Sequence, residues 1–298
     1  MAKVFVTGLD GFTGRYLAAE LIRSGHQVCG IVRKSDSNAF GQAHVCDLLD
    51  RDALTQVLSS EMPDAVVHLA GIAFVQHGDA GAIYQTNVVG SRNLLDALQR
   101  SGCKPHAVLL ASSANVYGNA DREVIDEDTT PAPASDYAIS KLAMEWVARM
   151  WEDKLPITIA RPFNYTGVGQ DDRFLLPKIV SHFRNRASRL ELGNLNVVRD
   201  FSDVRTVASV YRRLIDGNFA GKTFNVCSGV GHSLQSVLAV MHELTGHDLE
   251  VAVNPEFVRK NEVHKLIGSC QALEHAIGPV HPIPLHDTLA WMLESASS

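Results

Sequence analysis

Tyr137-Ala138-Ile139-Ser140-Lys141 sets a phenol and an ammonium four residues apart. On a helix that spacing stacks both side chains on one face. An ammonium beside a phenol favours the phenolate and lowers a pKa of about 10. Tyr137 is therefore a candidate general acid or base near neutral pH. Pairs of this kind are common in ordinary helices, so the spacing needs support from elsewhere. It comes from Ser112-Ser113-Ala114-Asn115-Val116-Tyr117-Gly118, which follows a predicted strand. A hydroxyl at the C-terminal end of a parallel strand faces the ligand crevice. Ser113 can there hold a substrate carbonyl while Tyr137 transfers a proton, and Asn115 is a candidate substrate contact by hydrogen bonding.

A second constellation lies at the start of the chain. Thr7-Gly8-Leu9-Asp10-Gly11-Phe12-Thr13-Gly14 spaces three glycines as G-x-x-G-x-x-G between a predicted strand and a predicted helix. Glycines there let the backbone approach a pyrophosphate resting on the helix N-terminus. Gly8, Gly11, Phe12, Thr13 and Gly14 are the expected dinucleotide contacts. The second predicted strand ends in Val32-Arg33-Lys34, two cations where an NAD site usually carries an acid for the ribose hydroxyl. Arg33 and Lys34 would attract a 2′-phosphate, which favours NADP(H) with NAD(H) as the alternative. Asp47 and Leu48, after a third short strand, are expected near the adenine.

Elements must position these groups. Val4–Val6, Val28–Val32, Ala65–Leu69, Ala107–Ala111 and Ile157–Ala160 are short, continuous apolar runs, as parallel strands covered on both faces should be. Helical patterns over about 12–24, 50–60, 80–101 and 136–153 separate them. Alternation of this kind predicts an α/β fold, a Rossmann-like doubly wound parallel sheet. After Pro162 the pattern loosens. Helices are expected over 170–187 and 205–216, a strand over Thr223–Val226, and an amphipathic helix over 233–246 capped by Ser233 and ended by Gly246. The predicted division is a cofactor-binding domain over 1–165, with later contributions from about 197–228. A smaller mixed α/β substrate-binding lobe covers 166–196 and 229–298.

Composition excludes several classes. The 298 residues carry a formal net charge of −6, which gives nucleic acid or an anionic membrane no reason to bind. No apolar run is long enough to span a membrane. The five cysteines, Cys29, Cys46, Cys103, Cys227 and Cys270, lie far apart and form no C-x-x-C pair. Free thiols in a reducing cytoplasm are the expectation. His242 and His247 are five apart with a glycine between, not the four that would share a helix face, so no metal site is expected. No G-x-S-x-G elbow is present, which argues against a serine hydrolase.

The glycine turn, His68-Leu69-Ala70-Gly71, Asn87, the Ser-Ser-x-x-Val-Tyr-Gly run and Tyr-x-x-x-Lys come in an informative order. So do Arg161-Pro162-Phe163-Asn164, Arg199-Asp200-Phe201-Ser202-Asp203-Val204 and Arg259-x-x-Glu262. The ordered set resembles the extended short-chain dehydrogenases/reductases that act on nucleotide sugars, over nearly the whole chain. The resemblance implies a catalytic triad of Ser113, Tyr137 and Lys141. It adds Leu69, Ala70 and Gly71 to the cofactor contacts, with Asn87 supporting the Lys141 side through backbone or water contacts. It assigns Asn164, Arg199 and Arg259 to the substrate diphosphate and Glu262 to its ribose, and it implies a homodimer through helices near 80–101 and 136–153.

Two segments bear on the base. Leu192-Gly193-Asn194-Leu195-Asn196 and Phe174-Leu175-Leu176-Pro177-Lys178 resemble corresponding stretches of GDP-mannose 4,6-dehydratases. Phe174, Lys178 and Asn194 are thus expected around a guanine, with Lys178 donating to its O6. The overall likeness is to reductases of GDP-linked 4-keto-6-deoxy sugars, so the expected reaction is reduction of the C4 ketone with NADPH. The alternative is a 4-epimerase that retains NAD. Dehydratases of this type place a glutamate, often after an aspartate, just beyond the serine or threonine of the Ser-Ser-x-x-Val-Tyr-Gly run. Ala114 and Asn115 stand there instead, which predicts that the chain cannot dehydrate the parent sugar.

Overall fold

The computed structural model describes residues 1–34, 40–73, 79–258 and 262–295. Among them the strands are β1 Lys3–Thr7, β2 Gln27–Val32, β3 Gln42–Val45, β4 Ala65–His68, β5 Ala107–Ala111, β6 Ile157–Pro162, β7 Asn164–Thr166, β8 Arg189–Leu192, β9 Val198–Asp203, β10 Thr223–Val226, β11 Gly231–Ser233, β12 Glu250–Val253 and β13 Lys265–Leu266. The helices are α1 Phe12–Arg23, α2 Arg51–Glu61, α3 Ala80–Tyr84, α4 Ser91–Arg100, α5 Asp136–Arg149, α6 Leu175–Arg184, α7 Val204–Asp216, α8 Leu234–Thr245, α9 Gln271–Ile277 and α10 Leu285–Glu294.

Seven strands form one parallel sheet in the order β10-β6-β5-β4-β1-β2-β3. The doubly wound Rossmann-like sheet expected from the apolar runs is present. Alternate residues of one strand serve opposite faces. On β1, Val4 and Val6 pack with α1 and α7 residues such as Leu17, Leu21 and Leu214, while Phe5 packs with Leu54, Leu94 and Met144 from α2, α4 and α5. Both faces are covered, which is why the strands read as unbroken hydrophobic runs. Each fully buried leucine here stabilises the fold by about 1.5–3 kcal/mol.

A smaller mixed assembly follows. β9 pairs antiparallel with β11 and parallel with β13 and β7, and β8 pairs parallel with β12. Ile179, Val180, Val237, Met241 and Leu289 give this part its own core from α6, α8 and α10. Ser233 accepts the Ser236 N–H at the start of α8 and Gly246 ends it with φ +58°, as the sequence predicts. The helix expected over 80–101 is interrupted: a six-residue π-helical segment, Gln85–Gly90, joins α3 to α4. Such insertions are frequent at functional sites, and this one carries Asn87.

Candidate active site

Strand order reverses between β1 and β4, and open parallel sheets bind ligands at that crevice, beyond the C-terminal strand ends. The glycine turn lies there. Gly8 has φ +70°, a left-handed conformation that favours glycine, and a Cβ on it would stand 3.1 Å from Ala70 N and Cα. A Cβ on Gly14 would meet Gly8 O at 2.1 Å, so α1 can approach the turn only with glycine at that place. α1 begins at Gly11 with no side chain capping its first-turn N–H groups. Those donors and the helix dipole form a cradle that suits a pyrophosphate. The glycine turn and the Ala70 backbone therefore fit a dinucleotide.

Arg33 and Lys34 are exposed just beyond β2. Asp47 is exposed and accepts the Leu49 N–H at 2.9 Å, whereas the Leu48 side chain turns inward, into the core. Asn93, which the sequence did not single out, holds this stretch by donating to the Leu48 and Leu49 carbonyls.

Of the three residues that the resemblance implies as a triad, Ser113 and Tyr137 come together and Lys141 lies one turn further along α5. Ser113 Oγ accepts two N–H groups of Asn115, backbone and side chain, each at 3.2 Å. Its own proton is left to hydrogen-bond Tyr137. Lys141 is buried on the same α5 face and donates from Nζ to Ala111 O at 2.8 Å. Electrostatics depart from the sequence expectation. Burial pushes the Tyr137 phenol up to about 12, only partly offset by the Ser113 hydrogen bond and reinforced by Tyr165. Lys141 is not among the groups that lower it, because its ammonium points to the end of β5. Burial in turn pulls Lys141 down to about 8, against the attraction of Glu145 one turn further along α5. Tyr137 thus stands protonated at neutral pH, the state an acid needs. Asn87 acts through its amide: it accepts the Ile72 N–H, donates to Ile72 O and donates to Ser140 Oγ.

Residues assigned to the nucleotide-sugar gather across the cleft on β7, β9 and α6. Asn164 and Phe174 line one cavity with Tyr165, Gln170 and Phe201. Arg199 and Glu262 meet as an ion pair at 2.6 Å, 63 residues apart in sequence. Lys178 donates to Glu191 O at 2.7 Å and sits over the Phe257 ring at 4.6 Å. Asn194 lies in the segment leading into β9, and Arg259 lies outside the described residues. No group of three or more potential metal ligands occurs among the described residues. None of the helices is long and apolar enough to cross a membrane among the described residues.

Two features went unread in the sequence. Tyr165, half-buried, hydrogen-bonds Thr13 of the glycine turn at 2.8 Å and stacks on Phe12. An aromatic directly after Asn164 was the available signal. Behind the triad, Ser112 Oγ donates to Glu145 at 2.5 Å, and Arg161 grips both carboxylate oxygens at 2.9 and 2.6 Å. Arg161 also donates to the Tyr117 hydroxyl, which donates to Asn225.

The sequence profile of the NAD dependent epimerase/dehydratase family matches residues 4–227. GDP-6-deoxy-D-talose 4-dehydrogenase of Aggregatibacter actinomycetemcomitans is 33% identical over 278 residues, 93% of this chain and 91% of the relative. GDP-6-deoxy-D-mannose reductase of Pseudomonas aeruginosa is 35% identical over 303 residues, 98% of this chain and 92% of the relative. Among solved structures, a protein from Burkholderia cenocepacia J2315 superposes with TM-score 0.92 at 50% identity, covering 98% of this chain and 97% of that one. RMD from Pseudomonas aeruginosa complexed with NADPH superposes with TM-score 0.84 at 33% identity, covering 98% of each.

Proposed function

The chain belongs to the NAD dependent epimerase/dehydratase family, is an NAD(P)-dependent oxidoreductase of the extended short-chain dehydrogenase/reductase type, and we propose on that premise that it reduces the C4 ketone of a GDP-linked 4-keto-6-deoxy-hexose. The observation that carries the reading is Tyr137 set against Ser113 beyond the end of β5, with Ala114 and Asn115 in the places beside the serine. Reduction needs a proton donor and a group to hold the carbonyl, and both are present. Dehydration also needs a base and an acid for the departing hydroxyl, and neither alanine nor asparagine titrates usefully. Guanine as the base is supported by the two GDP-sugar relatives.

In this reading residues 1–165, with later strands from about 197–228, hold the dinucleotide, and 166–196 with 229–298 hold the sugar nucleotide. The nicotinamide supplies hydride when bound. Ser113 orients the substrate carbonyl and Tyr137 gives its proton to the nascent C4 oxygen, while Ala111 O holds the Lys141 ammonium at the end of β5. Asn164, Arg199 and Arg259 take the diphosphate, and Glu262 takes the ribose. Arg199 would then share its guanidinium between Glu262 and a phosphate. Five free thiols support a cytoplasmic setting. The deciding experiment incubates the enzyme with the GDP-linked 4-keto-6-deoxy sugar plus NADPH and, separately, with GDP-mannose alone. Reduction of the first and no change in the second is expected. Keto-sugar formation from GDP-mannose would defeat the reading, and tightly held NAD after purification would turn it to the 4-epimerase.

NADPH should bind more tightly than NADH, because Arg33 and Lys34 occupy the place of a ribose-binding acid. Parallel titrations at equal salt test this, and equal affinities or an NADH preference would remove the claim.

A homodimer is also part of the reading. Ile139 and Trp146 on α5 are 42% and 60% exposed, and Met150 just past its end is 66% exposed. Large apolar groups left in water on one helix are a usual sign of a partner surface. Trp146→Glu should convert a dimer to a monomer in light scattering at micromolar concentration. A wild type already monomeric there would refute the assembly.

A further inference from the structure

We propose that His68 is a positioning residue: as the neutral Nε2–H tautomer it ties the wall of the dinucleotide cleft to the seat of Lys141 through a hydrogen-bond chain of fixed direction. The direction follows from the Ser91 end, since a hydroxyl oxygen with two lone pairs leaves the Thr7 end compatible with either sense. Ala70 N–H can only donate, and it gives its proton to Thr7 Oγ1 at 3.1 Å. Asn87 C=O can only accept, and it takes the Ser91 hydroxyl proton at 2.6 Å. Ser91 has no second proton, so across 2.8 Å it accepts from His68 Nε2, which must carry the hydrogen. The neutral ring then has a bare Nδ1, and Thr7 Oγ1 donates to it across 2.6 Å. Every proton along the line is used. A second ring proton would face the Thr7 hydroxyl and leave that hydroxyl's own hydrogen without its acceptor. Burial and the nearby Lys141 ammonium work in the same sense, pushing the ring down to about 3.

Each end serves a different part of the site. The Thr7 end fixes the Ala70 backbone, from which a Cβ on Gly8 would stand only 3.1 Å away. The Ser91 end fixes the Asn87 backbone in the π-helical segment, while the Asn87 amide clasps Ile72 and Ser140, the neighbour of Lys141. Lys141 Nζ itself lies 3.3 Å from where a Cβ on Gly71 would stand.

The functional part of the inference rests on the nicotinamide reading above. Its test uses two variants that each keep one half of the chain. His68→Asn retains an amide oxygen near the place of Nδ1 for Thr7. His68→Gln retains an amide N–H that reaches Ser91. Titrating NADPH should show His68→Gln weakening cofactor binding about 3- to 10-fold more than His68→Asn, the worth of one hydrogen bond. With the keto sugar and saturating NADPH, His68→Asn should lose about 3- to 10-fold more kcat than His68→Gln. Thr7→Val and Ser91→Ala, which leave the ring in place, should reproduce the cofactor and kcat patterns respectively, and they carry the test if the His68 variants fail to fold. Loss of thermal stability with NADPH affinity and kcat falling together, or with neither falling, would reduce His68 to a packing residue. A wild type that binds neither NADPH nor NADH overturns both this inference and the functional reading, whereas a cofactor-binding wild type without the split overturns the inference alone.

Discussion

Tyr137→Phe is expected to cut turnover by roughly 10²–10⁴-fold, the usual worth of a positioned acid or base. Only one oxygen is removed, and the ring that packs beside the cleft remains. NADPH affinity should therefore hardly change, so the loss appears in kcat rather than in cofactor binding. The pH dependence sharpens the assignment. With the phenol pushed up to about 12, Tyr137 stays protonated throughout the physiological range. Lys141, pulled down to about 8 by burial, loses its charge first as pH rises. The wild-type rate should therefore stay level below about pH 8 and change above it as the Lys141 charge is lost, with Tyr137 still protonated. A variant turning over at near wild-type rate would remove Tyr137 from the role.

The Tyr137–Lys141 pair was legible because helix spacing decides which side chains share a face. What the spacing could not show is where the ammonium ends. Lys141 reaches across to Ala111 O on β5, a contact over 30 residues, and burial then dominates both groups. The phenol consequently moved opposite to the local expectation. The parallel strands were legible for a comparable reason: being covered on both faces, they need unbroken apolar runs, and Val4–Val6 or Ala107–Leu110 can be read without knowing the partners.

Features built from long-range pairing were invisible. The π-helical turn at Gln85–Gly90 inserts a residue without breaking the apolar pattern, so 80–101 reads as one helix. The resemblance gave Arg199 and Glu262 separate roles, and only β9 and the segment before β13 bring them to 2.6 Å as a pair. Leu48, expected near the adenine from its place after a third short strand, instead turns its side chain into the space above Gly90.

Glu145→Ala should destabilise the protein by about 3–5 kcal/mol, the cost of stranding one partner of a buried ion pair. Glu145 and Arg161 are 1% and 4% exposed, and the arginine grips both carboxylate oxygens. Removing the carboxylate leaves a guanidinium in a place with little water, still tethered to Tyr117 OH but without a counter-charge. It also deprives Ser112 of its acceptor at the end of β5, beside Ser113. The charge pair is costly to bury, so its value lies in mutual compensation rather than in net attraction. Glu145→Leu/Arg161→Met should accordingly recover most of the loss, since apolar groups of similar volume need no compensation. Urea unfolding of the single and double variants at one protein concentration measures both quantities. The double variant should nevertheless keep a kcat defect. Glu145 attracts the Lys141 ammonium one turn away and holds Ser112 beside the serine that faces the substrate, and neither leucine nor methionine does so. A single variant costing under about 1 kcal/mol would show that water or neighbouring carbonyls satisfy Arg161. A double variant with restored stability and full kcat would confine the pair to a packing role.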